Sequence, residues 1–195
     1  ASDVYKRQAS VRAAMRGADA VVNCVGILNK AGKNTFDSVQ ASGAARIARI
    51  AAEEGVGQLV HISAIGADQD STSEYQQTKA AGEAAVLAAF PGAMILRPSI
   101  IFGNEDGFFN RFAAMARFSP VLPVVGAATR FQPVHVDDVA QAAVKGVLGQ
   151  ASGVYELGGP DAETFKGLMQ RMLKVIQRRR LIVNVPFWAA SIMAA

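Results

Sequence analysis

The sequence predicts an α/β protein built on a doubly wound parallel sheet, incomplete on its N-terminal side and carrying a small additional region towards its C-terminus. Two observations lead there. Short apolar runs rich in branched residues, each bounded by Gly, Pro or Asp, alternate with amphipathic stretches of helical period, as strands buried on both faces and their crossover helices require. The residues best able to touch a ligand, Gly26, Ser63 and Pro98-Ser99, all fall at the carboxyl ends of those runs, where open parallel sheets bind.

Residues 1–9 do not alternate, and they are set aside as an artefactual or disordered leader. A helix is read over Ser10 to Met15. The first strand is Ala20 to Val25, the second Gln58 to Ser63, and the third Ala93 to Arg97. Between the first two, Ser38 to Glu54 places Val39, Ala44, Ile47 and Ala48 on one helical face and stops at Gly55. Between the next two, Ser73 to Phe90 does the same, with Ser71 and Ser73 as caps and Pro91-Gly92 as its end. Residues 10–160 are taken as the C-terminal part of one nucleotide-fold domain, and 161–195 as a truncated helix-strand-helix region.

The chemistry centres on Tyr75 and Lys79. Residues four apart share a helical face, so the phenol and the ammonium meet. A nearby cation is expected to lower the phenol from its usual value near 10 and fit it for proton transfer. Ser63, at the end of the preceding strand, is expected to hydrogen-bond the reacting oxygen.

Ser63, Tyr75 and Lys79, in this order and on these elements, resemble the signature of the extended and atypical short-chain dehydrogenase/reductases, the NAD-dependent epimerase/dehydratase superfamily with its Rossmann-like fold. The segment Arg97 to Phe112, with Phe131 to Ala140 and Tyr155 to Pro160, is similar to the branch that contains the NAD(P)H-binding accessory subunit of respiratory complex I and its bacterial relatives. The resemblance runs from about Ser10 to Phe187. It implies an NAD or NADP cofactor, with NADPH favoured, whose nicotinamide half is lined by Val25, Gly26, Ile27, Ser63, Tyr75, Lys79, Pro98, Ser99, Ile100 and Ile101. It implies that Ser63, Tyr75 and Lys79 are the catalytic set, with Lys79 also reaching the nicotinamide ribose. Gln40 departs from the family, which usually has Asn there. Two classes stay open: a complex I accessory-like protein that binds a nicotinamide dinucleotide with weak or no turnover, and an NAD(P)-dependent oxidoreductase or sugar-nucleotide-type epimerase/dehydratase.

No glycine-rich turn of the kind that cradles a pyrophosphate occurs in the sequence. The chain is therefore expected to be a fragment, and to bind dinucleotide poorly by itself. Its 195 residues, 51% of them apolar, suffice for one core, and its single cysteine, Cys24, excludes an internal disulfide and is expected to be buried packing. A net charge of +4 suits an acidic partner, an anionic membrane surface or a phosphate-rich cofactor. The expected partners are the dinucleotide and a respiratory complex or membrane surface. No nucleic-acid signature is found. The expected location is cytoplasmic, peripheral on the inner membrane.

The second half carries less chemistry. Gly107 to Phe118 reads as a helix whose aromatic residues form core, and Ser119 to Pro123 reads as a proline-punctuated loop. His135-Val136-Asp137-Asp138 is not taken as a metal site, because Asp137 or Asp138 serves as the acidic cap of a helix over Val139 to Leu148. His61 and His135 are read as structural histidines. Ala162 to Gln177 is an amphipathic helix with a basic outer face, followed by Arg178-Arg179-Arg180, a strand over Leu181 to Val185 and a helix opening at Pro186-Phe187-Trp188.

Overall fold

The computed structural model describes residues 2–186, with side chains from 8 onward; the helix expected to open at Pro186-Phe187-Trp188 lies outside the described residues. The chain divides into two compact units, Ala1–Pro98 with Asp137–Leu157, and Ser99–Val136 with Gly158–Ala195.

The first unit holds a four-stranded sheet. Strands β1 (Ala20–Asn23), β2 (Gln58–Ile62) and β3 (Met94–Pro98) run in spatial order, and a later strand of the chain, Gly153–Leu157, flanks β3. All three pairings are parallel, with Val22 opposite Val60, His61 opposite Ile95, and Ile95 opposite Val154. Helices α1 (Ser2–Met15), α2 (Ser42–Glu53) and α3 (Glu74–Ala89) separate the strands. Alternation along a strand sends neighbouring side chains to opposite faces. Leu59 and Ile95 therefore pack with Ala44, Ala48 and Val86 of α2 and α3. Val60, Met94 and Leu96 pack on the other face against Ala142, Ala143 and Val147. Helices cover both faces, and the sheet is doubly wound, as the strand pattern predicts.

The differences are local. Helix α1 begins at Ser2 and runs unbroken through the segment set aside as a leader, burying Met15 against Ile50, Ala51 and Val56. The stretch Ser38 to Glu54 is not one regular helix: Asp37–Ala41 is a π-helical turn before α2. Strand β1 ends at Asn23, so Cys24 lies beyond the sheet and is exposed, not buried.

The second unit contains β4 (Ile101–Phe102), α4 (Phe109–Phe118), β5 (Val121–Val125), β6 (Arg130–Phe131) and β7 (Val134–His135). The helix that returns the chain to the first unit, α5, spans Val136–Val147, so Asp137 and Asp138 stand in its first turn, where carboxylates favour the helix dipole, and are not caps before Val139. After it come β8 (Gly153–Leu157), β9 (Glu163–Thr164), α6 (Phe165–Val175) and β10 (Leu181–Val185). Of the expected loop at Ser119 to Pro123, residues 121–123 instead belong to the strand β5, paired in parallel with β10. In a two-stranded ribbon one edge of each strand is free, so a proline is tolerated at Pro123. Leu122 and Val124 face α4 and α6 in a core built on Ala116, Phe165, Leu168, Met169, Met172 and Leu173. Thr164 caps α6 by accepting a hydrogen bond from the Gly167 amide at 3.1 Å. Among the described residues no helix is long and apolar enough to cross a membrane.

Candidate functional site

Strands β1, β2 and β3 end at Asn23, Ile62 and Pro98, and the residues that follow them form one rim of the first unit. Asn23 organises its start. Its Oδ1 accepts the Val25 amide at 3.2 Å, and its Nδ2 lies 3.0 Å from His61 Nδ1. An amide Nδ2 can only donate, which fixes the His61 proton on Nε2. That Nε2 is buried without a hydrogen-bond partner. Burial, reinforced by the Lys79 charge and opposed by Glu83, lowers His61 to about 4, so it stands neutral near pH 7.

Gln40 fixes the loop that follows β1. It is buried inside the π-helical turn, and its Nε2 donates to the Ile27 carbonyl at 2.7 Å. Its Oε1 lies 2.9 Å from Thr78 Oγ1 on α3. One amide thus ties the loop carrying Gly26 and Ile27 to the helix carrying Tyr75 and Lys79. The longer side chain that departs from the family pattern spans this gap.

On α3, Tyr75, Lys79 and Glu83 follow at intervals of four and share a face. Tyr75 is half-buried, and its ring meets Phe36 edge to face, with centroids 5.7 Å apart. Lys79 is buried, with its ammonium 6.0 Å from the Tyr75 ring centre. A Cβ built on Gly26 would sit 3.3 Å from Lys79 Nζ, so any side chain there would crowd the ammonium. Burial lowers Lys79, and Glu83 partly restores it. Tyr75 is raised, not lowered, from 10: burial outweighs the cation. The expectation that Lys79 lowers the phenol is not met in the protein alone, because at this separation the ammonium does not offset the desolvation of a phenolate.

Ser63 has a different partner from the one its sequence position suggests. It is 5% exposed, its amide donates to the Leu96 carbonyl at 2.7 Å, and its hydroxyl donates to Glu83 Oε1. Glu83 also receives Arg97, through Nε at 3.0 Å and Nη2 at 2.7 Å, and Arg97 Nη1 stands 3.6 Å from Glu156. The guanidinium is held charged by Glu83 first of all. A hydroxyl has one proton to give, so Ser63 keeps only lone pairs for any other contact. The next residue, Ala64, has no polar side chain.

The structure therefore brings Val25, Gly26, Ile27, Tyr75 and Lys79 to one rim and turns Ser63 into a buried network beneath it. Pro98 is buried at the end of β3 and accepts the Ile65 amide at 3.1 Å. Ser99, Ile100 and Ile101 belong to the second unit, where Ile101 pairs with Val134. Sequence reasoning passed over Glu83 and Arg97. A signal existed in both: a glutamate one further turn along the Tyr75 and Lys79 face, and a lone arginine inside an apolar strand, which needs a partner when the strand is buried.

A doubly wound parallel sheet with a Tyr-x-x-x-Lys helix at its carboxyl rim defines a Rossmann-like protein of the short-chain dehydrogenase/reductase kind. Residues 6–186 match the family described as RmlD substrate binding domain, and the chain belongs to it. It is 36% identical over 191 residues to the mitochondrial NADH dehydrogenase [ubiquinone] 1 alpha subcomplex subunit 9 of Arabidopsis thaliana, covering 95% of this chain and 48% of that protein. It is 31% identical over 173 residues to the ceramide reductase of Caulobacter vibrioides, covering 88% of this chain and 54% of that one. The chain thus spans about half the length of these relatives. Among solved structures, the dTDP-4-dehydrorhamnose reductase of Bacillus anthracis in complex with NADP superposes with a TM-score of 0.78 at 16% identity, over 92% of this chain and 70% of that one. The likeness is one of fold.

Proposed function

We propose that the protein holds a nicotinamide dinucleotide, NADPH in preference to NADH, as a complex I accessory-type protein with weak or no turnover. The observation that carries this reading is the split of the expected triad: Tyr75 and Lys79 stand at the rim beside Gly26, while the Ser63 proton is committed to Glu83. The residues fit the cofactor, since the bare Gly26 backbone leaves room against the Lys79 ammonium and the phenol is free to bond. When bound, the nicotinamide would supply hydride. Lys79 would hold the ribose hydroxyls. Tyr75 would donate to the ribose or to an oxygen beside the ring, and Gln40, through Ile27, would keep the Gly26 loop clear. Val25, Ile27 and Pro98 complete the proposed lining within the first unit.

Without the Ser63 hydroxyl, a substrate carbonyl has no second donor to share its developing charge, and such a donor is worth about a hundredfold or more in rate. We further propose that the protein works in association with a respiratory complex, as the names of the NADH dehydrogenase relatives suggest, and that it is cytoplasmic and peripheral on the inner membrane. The test is to purify the whole protein, denature it and identify the released nucleotide. Stoichiometric NADPH in the wild type, with no oxidation of it by a carbonyl panel in wild type or Tyr75→Phe, would agree; an empty protein would refute the reading. The second reading, an oxidoreductase or epimerase/dehydratase, is favoured by the Tyr75 and Lys79 pair and by the reductase relative, and requires Tyr75→Phe to abolish a measured turnover.

A further inference from the structure

From Phe165 to Pro186 the chain carries six Lys or Arg residues and no Asp or Glu. Two are committed elsewhere: Arg171 pairs with Glu163, and Arg180 Nε donates to the Ala116 carbonyl at 2.7 Å. Lys166, Lys174, Arg178 and Arg179 have no side-chain partner among the described residues, and all four line one groove of about 770 Å³ whose floor includes Leu173 and Ile182. Uncompensated like charges in one hollow repel one another and work against folding, so their concentration calls for an anion.

The backbone is bent to present them. Lys166, Gln170 and Lys174 lie four apart on one face of α6. Past its end the Arg178 amide bonds the Leu173 carbonyl at 2.9 Å, and Gln177 takes φ of 54°, the one left-handed non-glycine among the described residues. Glycine is the usual occupant of that position. The tight reversal carries Arg178 and Arg179 back alongside the helix face. Leu181 lines the groove beside these cations and is 65% exposed.

We propose that this groove docks the α6 and β10 edge onto the headgroup layer of an anionic phospholipid bilayer. Phosphates sit among Lys166, Lys174, Arg178 and Arg179, while Leu181 enters the interface. Long cationic side chains beside exposed aliphatic carbon are the pattern of interfacial elements. The groove has no aromatic residue for bases to stack on, which disfavours a single-stranded nucleic acid. The inference deepens the peripheral location proposed above and rests on it, but it is independent of nucleotide binding.

The test is flotation of the whole protein with vesicles of phosphatidylcholine alone or with about 30% phosphatidylglycerol, at low and high salt. Binding is expected only to the anionic vesicles, weakened strongly by salt. Lys174→Ala combined with Arg178→Ala and Arg179→Ala should lower the partition coefficient at least about tenfold, whereas Lys145→Ala, on α5, should not. Inorganic phosphate at millimolar level should compete poorly, because it gains nothing from Leu181; effective competition would mean a soluble-phosphate site and overturn the proposal. Equal binding to both vesicle types, no binding to either, or a loss in Lys145→Ala equal to that of the groove variant would also overturn it. Bound nucleotide measured in the same samples separates this failure from failure of the nucleotide reading.

Discussion

Glu83 is the residue on which the site turns. It is buried, it takes the Ser63 proton, and it anchors Arg97 through two hydrogen-bonding nitrogens. Glu83→Ala leaves the buried Ser63 hydroxyl without its partner and the Arg97 guanidinium, a quarter exposed, with only Glu156 beside it, so it should destabilise the fold by roughly 1 to 3 kcal/mol, read by urea unfolding. Ser63→Ala leaves the Glu83 and Arg97 pair intact and should cost about 1 to 2 kcal/mol. His61 predicts a pH dependence. Its folded value of about 4 lies below its usual 6.5, so the unfolded chain takes up the proton first and stability falls as pH drops from 6.5 towards 4. The full effect is about 3 kcal/mol at about 1.4 per unit. Unfolding free energies of wild type and His61→Asn between pH 7 and 5 check it: the wild type should lose more, and parallel slopes would contradict the assignment. Tyr75 and Lys79 were legible from their spacing because helical geometry alone places them. Glu83 was not read, since a glutamate on a helix is ordinarily solvated, and only the lone Arg97 in the neighbouring strand hints otherwise.

At the scale of the elements, α3 packs against the π-helical turn so closely that a Cβ on Gly82 would lie 2.1 Å from the Gln40 carbonyl oxygen. Gly82→Ala must push α3 away from that turn. The expected cost is roughly 2 to 3 kcal/mol, and because Gln40 holds Ile27, nucleotide affinity should fall with it. A stability loss with unchanged affinity would break the link between turn and loop. In the opposite direction, Gln177→Gly should relieve a left-handed residue and raise stability by about 0.5 to 1 kcal/mol, seen as a higher Tm. The positions of α2, α3, α6 and β10 could be read from periodicity, but the π-helical turn could not: the apolar spacing of Ser38 to Glu54 passes smoothly through it. Cys24 was misread because an apolar run shows where a strand can lie, not where its last sheet partner stops. Pro123 misled because proline is judged against central strands, and β5 has a free edge.

For the whole molecule, the parallel sheet and its carboxyl rim were legible, since burial on both faces leaves continuous apolar runs that little else produces. The interleaving of the two units was harder to read: the second unit takes residues 99–136 as well as the segment after 157, and such long-range association leaves no local pattern. The inward turn of Ser63 towards Glu83 favours a rim that holds a ligand over one that performs chemistry. The most direct measurement is the nicotinamide dinucleotide retained by the purified whole protein in Lys79→Met beside Ser63→Ala. The account predicts that Lys79→Met loses at least about nine-tenths of the bound nucleotide, while Ser63→Ala keeps it at a lower Tm. Full nucleotide content in Lys79→Met, or an emptied Ser63→Ala at unchanged Tm, would contradict it.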